Sequence, residues 1–156
     1  MDELAGGRAA RPDPMGAAFD AARAAGAAGE VPVGAAIARG GAVIVSAGNR
    51  TVLDRDPTAH AEMLALRAAA VALGSERLAD CDLYVTLEPC AMCAAAITFA
   101  RIRRLYYAAS DEKGGAVEHG PRFFSQPTCH HAPEVYGGIR ASEAAELLRA
   151  FFAARR

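Results

Sequence analysis

Leu83-Tyr84-Val85-Thr86-Leu87-Glu88-Pro89-Cys90-Ala91-Met92-Cys93 reads as a strand running directly into a helix. Leu83, Val85 and Leu87 alternate with Tyr84 and Thr86, the period-two pattern of a central strand. Pro89 stops that strand, and Cys90 to Ala100 is a nearly all-apolar run whose length suits a buried helix. Arg101-Ile102-Arg103-Arg104 then introduces another strand over Leu105 to Ala109. Toward the N-terminus, Asp56-Pro57-Thr58 offers an N-cap and a proline for a first helical turn. Met63, Leu66, Ala70 and Leu73 follow at helical spacing, closed by Gly74. Val31 to Ala38 and Ala42 to Ala47 flank Gly40-Gly41, the signal of a hairpin. Residues 14–28 are alanine-rich and end at Gly29, which predicts a helix. Residues 110–140 hold most of the remaining Gly, Pro and His and are expected to be irregular, and Ser142 is expected to cap a last helix through Phe152. Helices alternating with strands make this an α/β sandwich around one sheet. No repeat or second domain appears, so residues 12–156 are expected to form a single domain behind a flexible tail at residues 1–11.

The composition narrows the partners. No run of about 18 apolar residues offers a membrane span, and the Gly/Ala/Arg-rich start lacks the apolar core of an export signal. Four cysteines in that setting point to a reducing compartment, where paired cysteines bind metal more readily than they form disulfides. The net charge is −1, unevenly spread. Residues 1–100 carry 8 arginines against 12 acids, a net of −4, while residues 101–156 carry 8 arginines and Lys113 against 6 acids, a net of +3. Arginine binds phosphate in a fork and stacks on bases; a genome that writes arginine for lysine throughout would leave the same bias.

His60-Ala61-Glu62 and Pro89-Cys90-Ala91-Met92-Cys93 together offer one imidazole, one carboxylate and two thiolates. His60, Cys90 and Cys93 suffice to hold a zinc ion and leave its fourth position open for water, the mark of a catalytic rather than a structural site. Cys90 and Cys93 stand three apart on a first helical turn, so both sulfurs face one point, where unsatisfied amides and the helix dipole favour thiolates. Glu62 follows His60 by two residues, which in a regular helix splays side chains by about 200°. At a first turn, however, its carboxylate reaches past the ligands toward the water as a proton shuttle. Cys81 and Cys129 read as bystander thiols. Cys129-His130-His131 lacks a fourth partner for a second metal, and His119 receives no role.

The H-x-E…P-C-x-x-C pattern is similar to the signature of zinc-dependent base deaminases. Wider blocks resemble the bacterial tRNA-specific adenosine deaminases, of cytidine deaminase-like fold, across about residues 14–155. They are Glu30-Val31-Pro32-Val33-Gly34-Ala35, Gly48-Asn49-Arg50, Asp56 to Glu62, Leu83 to Cys93, and Leu147-Leu148 with Phe151-Phe152. The resemblance implies a three-layer α/β/α sandwich with one mixed sheet of about five strands. It implies hydrolysis of adenosine to inosine at wobble position 34 of tRNA, one Zn²⁺ per subunit, and a cytoplasmic homodimer. The anticodon stem-loop would be splayed and its target base flipped into the zinc pocket. Carried over by position, His60, Cys90 and Cys93 become zinc ligands and Glu62 the shuttle. Asn49 falls where the family contacts the nucleoside, Val31, Pro32 and Ala61 line the base pocket, and Asp111 stands beside the RNA strand. Residues 113–137 depart from the best-known pattern. Phe123 and Phe124 either stack unpaired bases or pack in the core.

Two rival readings stay open. One is a deaminase of a free nucleobase or nucleoside (guanine, cytosine or cytidine), mildly favoured by the whole-chain charge. The basic cluster Arg101, Arg103 and Arg104 leans toward RNA instead, although those arginines also suit a solvated strand edge. The other is a non-catalytic, zinc-stabilised interaction domain, against which Glu62 argues, since a closed structural site has no use for it.

Overall fold

A computed structural model of the chain describes residues 11–155. The tail expected at residues 1–11 lies, apart from Arg11, outside them. Asp13 opens α1 (Pro14–Ala27): its Oδ1 accepts the Gly16 amide at 2.9 Å and Pro14 occupies the first turn, as N-cap chemistry requires. The hairpin follows as β1 (Gly34–Arg39) and β2 (Ala42–Gly48). Gly40 and Gly41 take φ of 58° and 80° between them, the two left-handed positions that a type I′ turn demands. Next come α2 (Ala61–Leu73), β3 (Cys81–Leu87), α3 (Ala91–Ala100), β4 (Arg104–Ala109), a 3-10 turn at Phe123–Ser125, β5 (Glu134–Tyr136) and α4 (Ala141–Ala153).

Among the described residues the strands form one mixed sheet in the order β2-β1-β3-β4-β5. β1 is antiparallel to both neighbours, whereas β3, β4 and β5 run parallel. On one face, Ala61, Ala65 and Ala69 of α2 and Ile97 of α3 pack against Ile37, Leu83, Val85 and Leu105. On the other, Met15, Ala18 and Phe19 of α1 and Ala144 of α4 pack against Ala36 and Ala108. The architecture is therefore the expected three-layer α/β/α sandwich. Small residues bring α1 hard against the sheet. A Cβ at Gly34 would overlap the Ala18 carbonyl oxygen, and one at Gly48 would crowd the Ala21 carbonyl oxygen.

Several local expectations are corrected. β1 begins at Gly34 rather than Val31, because Val33 donates its amide back to the Val31 carbonyl at 2.8 Å in a tight turn. Asp56 does not cap α2: its Oδ1 accepts the Thr58 amide at 2.8 Å and hydroxyl at 2.7 Å, so the chain turns locally and the helix waits until Ala61. Ser142 likewise lies inside α4, whose N-cap is Arg140 in the left-handed region. Arg140 holds Glu143 with two hydrogen bonds at 2.8 and 2.9 Å and lies 4.3 Å over the Phe19 ring, a cation–π contact worth about 1 kcal/mol. Strand β5 interrupts the segment expected to be irregular. Its Tyr136 stacks on Tyr106, which stacks on Tyr84, with centroids 5.0 and 4.5 Å apart at matched register.

Candidate active site

The early end of α2 brings its first turn to the carboxyl ends of the parallel strands, where open α/β sheets keep their sites. His60 is the N-cap residue of α2 and Cys90 that of α3. Neither makes a side-chain capping bond, so two sets of first-turn amides and two positive helix ends converge there. His60 Nδ1 stands 3.6 Å from Cys90 Sγ and 3.5 Å from Cys93 Sγ, and all three ligand atoms lie within 4.8 Å of one another. Zinc with Zn–S of about 2.3 Å and Zn–N of about 2.0–2.1 Å in a tetrahedron sets N···S edges at about 3.5 Å. The spacing found is that edge, so the donor set fits zinc.

Of the three donors, Cys90 is shifted toward the form a metal needs, whereas Cys93 and His60 are shifted away from it. Cys93 and then His60, against the penalty of burial, bring the Cys90 thiol down to about 4. The hydrogen bond to Cys90, with burial and the neighbouring Glu62, pushes the Cys93 thiol up. The hydrogen bond to Cys90 raises His60, outweighing its burial.

Glu62 is 4% exposed. Burial, reinforced by the Cys90 charge, raises its carboxyl above the ordinary range despite the bond from its own amide. The helical 200° rule does not bind the pair His60 and Glu62, because His60 has extended backbone (φ −71°, ψ 152°). Both side chains accordingly border one cavity of about 350 Å³, near the lower end of the range for small-molecule sites, about 300–1,000 Å³.

Val31, Asn49, Ala61 and Asp111 also line that cavity, four of the five residues expected at the substrate. Pro32 does not: it is buried behind the wall, where a Cβ on Gly26 would meet it at 3.2 Å. Asn49 is held from behind by Glu30, a residue that the sequence reading left without a role. Glu30 Oε2 accepts Asn49 Nδ2 at 3.1 Å, and its Oε1 accepts the Val52 and Leu53 amides at 2.9 and 2.7 Å. Only these donors, from residues 49 to 53, reveal its part.

Other candidates are drawn elsewhere. Arg103 forks onto Asp82 at 3.1 and 3.0 Å and Arg104 reaches Glu134 at 3.2 Å. Both pairs sit at the N-terminal ends of β3, β4 and β5, away from the cavity, so these arginines are neutralised by acids and lend the site no basic face. Phe124 packs against the core and meets Phe123 edge to face at 6.3 Å. Cys129 Sγ touches Thr98 Oγ1 at 3.6 Å, and His131 Nε2 bonds the Ile102 carbonyl at 2.8 Å. Among the described residues, His60, Cys90 and Cys93 form the one group of three or more ligating side chains close enough to share a metal ion.

Residues 12–109 match the family model of the cytidine and deoxycytidylate deaminase zinc-binding region. The tRNA-specific adenosine deaminase of Agrobacterium fabrum is 64% identical over 135 residues, 86% of this chain and 89% of that protein. A chain solved in a study of A-to-I editing by tRNA:A34 deaminases at the wobble position superimposes with a TM-score of 0.85 at 63% identity, covering 86% of this chain and 98% of that one. The guanine deaminase of Nitrosomonas europaea superimposes with a TM-score of 0.79 at 28% identity, over 93% of this chain and 86% of that one.

Proposed function

Since the chain belongs to the tRNA-specific adenosine deaminases of the cytidine and deoxycytidylate deaminase family, we infer that it is a hydrolase converting adenosine to inosine at wobble position 34 of tRNA. The observation that carries the chemistry is a buried carboxyl, Glu62, on the wall of a nucleoside-sized cavity beside three zinc-spaced donors. His60, Cys90 and Cys93 are proposed to hold one zinc ion per subunit. When bound, zinc acts as a Lewis acid that brings the pKa of water toward about 7. Glu62 takes the proton released as water adds to C6 of adenine and hands it to the departing amine, so that ammonia leaves and inosine remains. Val31 and Ala61 flank the flipped base, Asn49 holds the nucleoside from its fixed amide, and Asp111 meets the RNA strand at the rim. All these groups belong to the single domain proposed for residues 12–156.

The test offers wild-type enzyme an anticodon stem-loop, free adenosine, guanine and cytidine. Inosine is expected on the stem-loop alone, with affinity that weakens steeply as salt rises. Turnover of free guanine or cytidine without stem-loop activity sinks the tRNA reading.

The homodimer is proposed on the outer face of α2 and α3. Met63, Ala96 and Phe99, the last 70% exposed, form an apolar patch framed by Arg67 and Glu76. A two-fold partner presents the same surface, and Arg67 and Glu76 supply both signs of charge at its rim, so the patch can complement itself. Light scattering is expected to give a dimer for the wild type and a monomer for Phe99→Glu; a monomeric wild type at micromolar concentration refutes it. No helix among the described residues is long and apolar enough to cross a membrane. The same reading puts the enzyme with its tRNA in the cytoplasm, where cell fractionation should find it.

A further inference from the structure

Glu88 precedes Pro89-Cys90 and lies on the cavity wall, yet the chemistry above makes no use of it. Its side chain is 0% exposed, and both oxygens are filled by one loop, residues 111–119. Oε1 accepts the Asp111 amide at 3.1 Å and His119 Nδ1 at 2.8 Å. Oε2 accepts three successive amides, those of Val117, Glu118 and His119, at 3.2, 3.1 and 3.2 Å. Three consecutive N–H groups on one oxygen form an anion nest. The loop fits so closely that a Cβ at Gly115 would overlap both Glu88 Oε2 and the Asp111 carbonyl oxygen. With five donors on its two oxygens, Glu88 serves only as an acceptor.

The same loop carries Asp111 and Gly114 to the cavity rim. A single nucleoside can fill the cavity without touching more of the loop than that rim, whereas a polynucleotide must lay its flanking residues across it. We propose that Glu88 and His119 are positioning residues for the polynucleotide: Glu88 gathers the 111–119 loop and His119 locks it, so that the rim meets the nucleotides beside the target base. The proposal rests on the tRNA reading. His119, side chain 32% exposed, is the half of the clasp that can be changed without opening the core.

His119→Ala removes the lock, and His119→Asn restores it, because asparagine Nδ2 stands where the imidazole Nδ1 stood. On the full-length zinc-loaded protein, His119→Ala is expected to raise KM and Kd for an anticodon stem-loop about tenfold, the loss of one hydrogen bond to a charged acceptor. It should leave kcat within about twofold and zinc content unchanged, while the 117–119 amides exchange faster in the absence of RNA. His119→Asn is expected to return KM and Kd most of the way. Wild-type KM in His119→Ala, a fall confined to kcat, or an asparagine variant no better than alanine overturns the clasp. Amide exchange reads the clasp without RNA and wild-type turnover reads the substrate, so the two ideas fail separately.

Discussion

Glu62→Gln is expected to keep its zinc and its fold while losing about 10³-fold or more of kcat on an anticodon stem-loop. Glutamine matches glutamate in size and fills the same buried space, so packing around α2 is preserved. It cannot accept a proton, and both transfers, from the water and to the leaving amine, pass through that one carboxyl. General acid–base catalysis is worth about 10²–10⁴-fold for one positioned group. The upper half of that range applies because the other two carboxyls on the cavity wall are engaged: Glu88 by five donors, and Asp111, at the rim, by the Lys113 and Gly114 amides. The check is single-turnover inosine formation with zinc measured on the same sample. A fully zinc-loaded glutamine variant within tenfold of wild type would end the shuttle assignment.

Removing the metal is expected to abolish turnover and to loosen the fold around both helix starts. At free zinc about a thousand times Kd the bound state gains about 4 kcal/mol, so stripping should lower Tm by about 10 °C for a chain of this size. Binding is also expected to be pH-dependent, with a definite sign. In the metal-free protein Cys90 is already a thiolate, since its pKa is lowered to about 4. Cys93, raised, keeps its proton, and His60, raised, gains one more readily than a free imidazole. Those protons must leave when metal binds, so acid favours the free protein and zinc affinity falls as pH falls. The slope is about tenfold per pH unit for each proton displaced: one from Cys93 throughout the neutral range, and a second from His60 toward lower pH. Competition with a zinc chelator of known affinity at pH 6, 7 and 8 measures it. Pre-stripped protein that stays active, or affinity flat with pH, contradicts the ligand set.

Most of the fold was legible because its punctuation is local. Gly40-Gly41, Gly74 and Pro89 end elements by their own backbone limits, and the runs between them carry a clear period. Strand β5 escaped because three residues hold no period; what makes them a strand is the open edge of β4. The start of α2 was misplaced for a related reason: Asp56-Pro57-Thr58 carries capping residues, but the Asp56 carboxylate spends its bonds on Thr58. The grouping of His60, Cys90 and Cys93 beside Glu62 was readable because zinc chemistry demands those residue types at short spacing. Glu30, Glu88 and His119 were not, since a buried carboxylate declares itself only through donors that arrive from remote loops. Of the two readings open for the arginine cluster, Arg103 and Arg104 take the strand edge, and their partners, Asp82 and Glu134, lie 21 and 30 residues away, out of reach of local pattern.

Gly34 and Gly48 press α1 against the start of β1 and the end of β2 with no side chain between, and Gly34 donates its amide to the Thr86 hydroxyl at 3.1 Å. The strand ends from which Val31, Val33 and Asn49 reach the cavity are therefore fixed by close backbone packing. Exchanging one of those side chains alters the wall while the strand ends behind it stay in place. A descendant enzyme that turns to a larger or smaller base has to change the walls, at Val31, Val33 or Asn49, or the loop across the mouth.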